Sequence, residues 1–217
     1  MQPIVKLFDG ALPADPDGIA TAQTLASAGD VTLDGVFCTG GVAYMTPNSC
    51  INIFSVGDDS GITFTVTGKD QYGTAQSEVL EGTSGGFAES GLFYSEISQI
   101  EASGATAGDI TVGNFGNTTT KMVALDPYCD PMTYYQVSVQ EGSSLTYTVQ
   151  GTLDNPNDPV NPCPTPNMVW FNAAGSLISQ SITQFSQDDF TPLYVRLRIE
   201  GEGQVRFTVV QYGSVNK

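Results

Sequence analysis

The sequence predicts an all-β chain: two tandem β-sandwich (jelly-roll-like) domains preceded by an extended N-terminal arm. Three observations predict it. Apolar and polar residues alternate with period 2 in several short runs. These runs recur about every 10 residues, with Gly-rich turns between them. The chain carries 24 Gly and 12 Pro in 217 residues, as many short strands joined by many turns require.

Residues 1–30 hold no sustained period of 2 or 3.6. Pro13-Ala14-Asp15-Pro16-Asp17-Gly18 reads as a turn or an extended arm, and residues 20–28 as a short helical turn. The first sandwich is expected over residues 31–124. Its strands are read at 31–33, 50–56, 62–67, 75–80, 93–100 and 109–115. The clearest is Ile62-Thr63-Phe64-Thr65-Val66-Thr67, whose apolar side chains face one way and whose threonines face the other. Lys69-Asp70-Gln71-Tyr72-Gly73 closes it into a hairpin. A polar, turn-rich break at 118–130 marks a domain boundary.

The second sandwich is expected over residues 125–217. Strands at 134–140 and 145–150 read as a hairpin around Glu141-Gly142-Ser143-Ser144. Residues 154–166 hold five prolines and form an irregular loop. Met168-Val169-Trp170-Phe171 reads as a buried run, with the lone Trp in the core. Residues 194–200 alternate, and Gly201-Glu202-Gly203 turns the chain into a last strand at 205–210. Residues 62–68 echo residues 145–151, and residues 205–210 share the phase. β alternation alone produces such echoes, so they count as architecture.

Composition bounds the function. Charged residues are 14% of the chain, against about 25% in an average domain. The net charge is −16 with only 7 Lys and Arg. That balance argues against nucleic-acid and anionic-membrane partners and favours solubility. No apolar run reaches the roughly 20 residues of a membrane helix. The N-terminus lacks the apolar segment of a secretory signal, so the expected place of synthesis is the cytosol. Histidine is absent, which removes Ser-His-Asp, Cys-His and most zinc-hydrolase chemistry.

The remaining chemical candidates have bland readings beside them. Glu78, Glu81, Glu89, Glu96 and Glu101 could supply a glycosidase pair, but they read as solvated strand and turn residues. Asp15-Pro16-Asp17-Gly18 and Asp154-Asn155-Pro156-Asn157-Asp158 carry oxygen ligands, yet neither matches a calcium loop, and Asp and Asn are good turn formers. Tyr134, Tyr135, Trp170 and Phe171 could form a sugar platform, with core packing the favoured reading. Cys38 with Cys50 and Cys129 with Cys163 would close local loops in an oxidised particle; in the cytosol all four read as free, half-buried thiols, the reading preferred. Arg196, Arg198 and Arg206 are expected to point outward as a cationic strip, near Lys217. The strip reads either as local pairing with Glu200 and Glu202 or as a docking face.

Three stretches carry a family resemblance: Asp17-Gly18-Ile19-Ala20 with Gln23-Thr24, residues 57–68, and residues 100–113. They resemble virion structural proteins of tailed bacteriophages, podophages in particular, and residues 145–154, 168–172 and 205–211 are similar to the C-terminal half of that group. The resemblance implies a non-enzymatic place in the particle and no catalytic, cofactor or metal residues. The expectation is a capsid decoration or cement protein on the virion surface, bound to the major capsid protein and to neighbouring copies as a dimer or trimer. Lys6, Phe8, Asp15 and Asp17 of the arm, with Arg196, Arg198 and Arg206, are the expected contacts. A tail, neck or fibre-attachment component is the alternative, and a carbohydrate-binding host-recognition module is another.

Overall fold

The computed structural model describes residues 4–126, 132–173, 175 and 177–211. Among these residues the regular structure is β, apart from one 3-10 turn at Thr165–Asn167. The chain divides into two compact units, and the division is nested: Leu12–Thr118 forms one, and Met1–Ala11 with Thr119–Lys217 forms the other. The first is called the inserted unit and the second the host unit. This corrects the tandem arrangement over 31–124 and 125–217.

It also corrects the arm. Residues expected to extend freely are strands β1 (Ile4–Asp9) and β2 (Asp15–Gln23), one in each unit. β1 pairs antiparallel with the last strand of the chain over six residues, from Ile4 opposite Val209 to Asp9 opposite Gln204. Ile4 and Phe8 pack against the host core. Local sequence hides this strand because Lys6 interrupts its apolar phase. Residues 20–28 form no helix: Thr21 to Gln23 continue β2.

The inserted unit continues with β3 (Gly29–Asp30), β4 (Cys38–Thr39), β5 (Val42–Ser49), β6 (Ile51–Ser55), β7 (Thr63–Lys69), β8 (Ala75–Glu81), β9 (Phe87–Glu89), β10 (Tyr94–Ala102) and β11 (Ile110–Asn114). Residues 31–33 lie outside these strands. One sheet has the order β2-β11-β6-β9; the other runs β4-β5-β10-β7-β8, with β3 beside β10. Both sheets send side chains into one core: Ile53 and Val112 from the first, Phe64, Val66 and Ile100 from the second. β7 keeps the expected phase, with Phe64 and Val66 fully buried and Thr63, Thr65 and Thr67 half-buried.

The host unit is completed by β12 (Asn117–Thr119), β13 (Val123–Ala124), β14 (Thr133–Val139), β15 (Ser144–Thr152), β16 (Phe171–Asn172), β17 (Gln184–Asp188), β18 (Tyr194–Glu202) and β19 (Gln204–Gln211). The division between units falls inside β12. Its sheets are β1-β19-β14-β17 and β12-β18-β15-β16, with β13 on β18. Tyr135, Val137, Phe207 and Val209 of one sheet meet Tyr147, Val149, Leu197 and Ile199 of the other in a single core.

Two local readings fail here for one reason. β14 and β15 do not form a hairpin, because they lie in different sheets; so do β18 and β19. Each short turn carries the chain across the sandwich. The run at 168–171 is also not core: Met168 is buried, but Val169 is 72% exposed and Phe171 37%.

The two units share one topology. With the eight principal strands of each numbered in chain order (β2 and β5–β11 inserted; β1, β12 and β14–β19 host), both give sheets 1-8-3-6 and 2-7-4-5. That is the eight-stranded jelly roll, two four-stranded sheets linked by repeated crossings. β7 and β15 occupy the same place in it. The echo between residues 62–68 and 145–151 therefore falls on equivalent strands, with Phe64 and Val66 matching Tyr147 and Val149 as core residues.

Candidate functional site

The expected cationic strip does not assemble. Arg196 and Arg198 sit on β18, whose Val195, Leu197 and Ile199 face the core. Arg206 sits on β19, in the other sheet, where Val205, Phe207 and Val209 face that same core. The three outward-facing arginines are therefore divided between opposite faces of the host sandwich. Two have local partners. The Arg196 guanidinium lies 3.9 Å from the centre of the Trp170 ring, and its Nε donates to Gln150 Oε1 at 2.9 Å. Arg198 pairs with Glu200 at 3.2 Å. The lone Trp thus caps an arginine rather than filling the core. Lys217 and Cys129 lie outside the described residues.

The other expected contacts also separate. Asp15 and Asp17 begin β2, where Asn114 Oδ1 accepts from the Asp15 N–H at 2.7 Å. Lys6 and Phe8 lie on β1 in the core-facing phase, opposite Phe207 and Val205. Phe8 packs inward, while Lys6 stays exposed at the sheet edge. A charged side chain on the inward phase of an edge strand discourages another strand from adding there.

What β1 does assemble is a surface. Val5, Leu7 and Asp9 face outward beside Thr208, Arg206 and Gln204 of β19. β14 continues the rows with Gln136 opposite Thr208 and Ser138 opposite Arg206, and β17 places Phe185 opposite Gln136. Leu7 is 57% exposed and Phe185 60%, and the Tyr134 ring stacks on Phe185 with centroids 5.8 Å apart. Among the described residues of these four strands Asp9 is the one acid on the outer face, and its carboxylate accepts from Gln204 Nε2 at 2.8 Å. A chain of net charge −16 thus carries a sheet face almost free of acid, with exposed apolar side chains around Arg206. Sequence reading missed it because its residues come from both ends and the middle of the host unit.

The chemical candidates resolve by geometry. The loop oxygens considered for an ion make turns: Asp15 Oδ1 accepts from the Asp17 N–H, Asn155 from that of Asn157, and Asp158 from those of Val160 and Asn161. Asp154 Oδ2 accepts from the Val169 N–H. Of the glutamates, Glu96 pairs with Lys69 at 2.7 Å and Glu78 accepts from the Gly91 N–H. Glu81, Glu89 and Glu101 are exposed on three different strands. The four aromatics do not converge either. Tyr135 is fully buried and stacked on Phe207, while Tyr134 lies on β14 and Trp170 lies just before β16, against Arg196 of the other sheet. Cys38, Cys50 and Cys163 are not in disulfides. Burial pushes the Cys38 thiol up, and its Sγ donates to the Ile19 carbonyl.

Comparison with protein-family models, curated proteins and solved structures finds no match.

Proposed function

We propose that this chain is a non-enzymatic structural component of a bacteriophage particle, a decoration or cement protein seated on the outer capsid shell. The reading rests on one observation above the others: the outer face of the β1-β19-β14-β17 sheet, where Val5, Leu7, Phe185 and Tyr134 are presented around Arg206 with little acid nearby. Elsewhere the molecule repels other acidic surfaces. An apolar, charge-poor patch with an arginine and an aromatic at its centre is the composition of an interface core. Jelly rolls recur in viral shells and in lectins, so the architecture supports the class without fixing the function. Burial of about 1,600 Å² in total would seat the protein stably. The expected partners are the major capsid protein and neighbouring copies, as a dimer or trimer.

Co-sedimentation with shells lacking the protein tests the face. Leu7→Asp with Phe185→Asp should lower shell occupancy at least tenfold, while Val79→Asp, at an exposed site of the inserted unit, should leave it unchanged. Equal occupancy for all three proteins would remove this face from the account. The stacked Tyr134–Phe185 pair also gives the glycan-binding alternative a specific form. Glycan-array binding lost on Tyr134→Ala, with no shell binding at all, would favour that alternative.

A further inference from the structure

The inserted unit carries thirteen Asp and Glu and a single basic residue, Lys69, for a formal charge of −12. Lys69 is engaged with Glu96 at 2.7 Å. One of the thirteen is buried more deeply than the rest. Asp59 is only 2% exposed, in the turn between β6 and β7. Its Oδ1 accepts from the Ala107 N–H at 2.7 Å, and its Oδ2 is buried with no partner.

A second orphan faces it. Asp58 bridges Ser84 in antiparallel fashion, and the Asp59 N–H donates to the Thr83 carbonyl at 2.9 Å. That hydrogen bond places Thr83 across from Asp59 on the neighbouring connection. The Thr83 hydroxyl is also buried with no partner. The turn is drawn in tightly. A Cβ on Gly82 would collide with the Asp59 carbonyl, and one on Gly57 would lie 2.6 Å from the Ala107 carbonyl oxygen. Three connections, β6–β7, β8–β9 and β10–β11, thus meet at Asp59.

A buried carboxylate whose one hydrogen bond comes from a neutral N–H is costly unless something positive joins it. We infer that the Asp59 carboxylate and the Thr83 hydroxyl hold a hard, oxygen-seeking cation of the calcium class at this end of the inserted unit. Both donors are oxygen, which suits calcium and excludes thiolate-seeking metals. The surrounding charge of the unit draws cations toward it. With one carboxylate in the set, the expected dissociation constant is weak, about 10⁻⁴–10⁻³ M. Neither of the Asp-rich loops prominent in the sequence takes part.

Titration calorimetry of the full chain with calcium chloride, with ionic strength held constant by sodium chloride, tests this. One site should be found, and the thermal midpoint should rise by roughly 5 °C at a tenfold excess over the dissociation constant. Asp59→Asn should abolish both signals, and in EDTA it should be at least as stable as the parent. Thr83→Val should weaken binding several-fold without loss of fold. Asp58→Asn removes a carboxylate that instead accepts from the Ser60 hydroxyl, and should bind as the parent does. Absence of calcium binding in the parent, or equal binding in Asp59→Asn and Thr83→Val, would overturn the inference and leave a water or a proton between the two oxygens.

Discussion

Tyr135 and Tyr147 lie in the same core, both almost wholly buried, and differ at one atom. The Tyr147 hydroxyl donates to the Ile182 carbonyl at 2.9 Å, whereas the Tyr135 hydroxyl is buried without a well-formed hydrogen bond. Removing a satisfied hydroxyl loses a hydrogen bond; removing an orphan relieves a desolvation cost. Tyr147→Phe should therefore lose about 1 kcal/mol in denaturant titration, and Tyr135→Phe should be neutral or stabilising. Burial also raises the phenols: Tyr147 is pushed up to about 12, and Tyr94 and Tyr135 are driven higher still. A raised phenol pKa contributes stability that is fully present below the unfolded value, near 10, and is lost as pH climbs through the folded value. Stability should therefore be insensitive to these groups up to about pH 9 and fall steeply above about pH 10. Tyrosinate absorbance should rise together with loss of the sheet signal. Early, complete ionisation of all nine tyrosines in a still-folded protein would contradict the core described for both units.

At the scale of the element, β1 separates a strand from an arm. A free arm contributes nothing to stability. A strand with Ile4 and Phe8 against the host core contributes as a half-buried edge does. Phe8→Ala should cost about 1–3 kcal/mol, less than a fully buried Phe, while Val5→Ala on the outer face should stay within about 0.5 kcal/mol. An unchanged denaturation midpoint for Phe8→Ala would restore the arm. The same strand shows what local sequence conveys. The phase of β7, β15, β18 and β19 was legible because each alternates cleanly between core and solvent. Pairing was not. A four-residue turn such as 140–143 joins β14 to β15 whether they share a ladder or cross the sandwich, and alternation is the same in both cases. Trp170 was misread for a related reason. An apolar run of four residues predicts burial, but here only Met168 is buried, and the indole instead covers the Arg196 guanidinium. Asp59 left no trace in the sequence, since its neighbours Ala107 and Thr83 lie far along the chain.

For the whole molecule, charge and connectivity are the two governing facts. The host jelly roll opens after its first strand to admit a second jelly roll of identical strand order. Both ends of the insertion are therefore tied to strands of the host. The inserted unit carries −12 of the −16 total, with its single Lys already paired. Self-repulsion of that size weakens the compact state at low salt and is screened as the Debye length falls to about 8 Å at physiological ionic strength. Raising sodium chloride from low to physiological concentration, with EDTA present, should raise the thermal midpoint. A fall would mean that attractive pairs dominate, which the two ion pairs among the described residues do not support.

The central claim is a place in the particle. The most direct test of that proposal is quantitative mass spectrometry of purified virions, counting this chain against the major capsid protein. The account predicts a copy number equal to that of the capsid protein or a simple fraction of it. A handful of copies would move the protein to the tail or portal vertex, and none at all would contradict the virion reading.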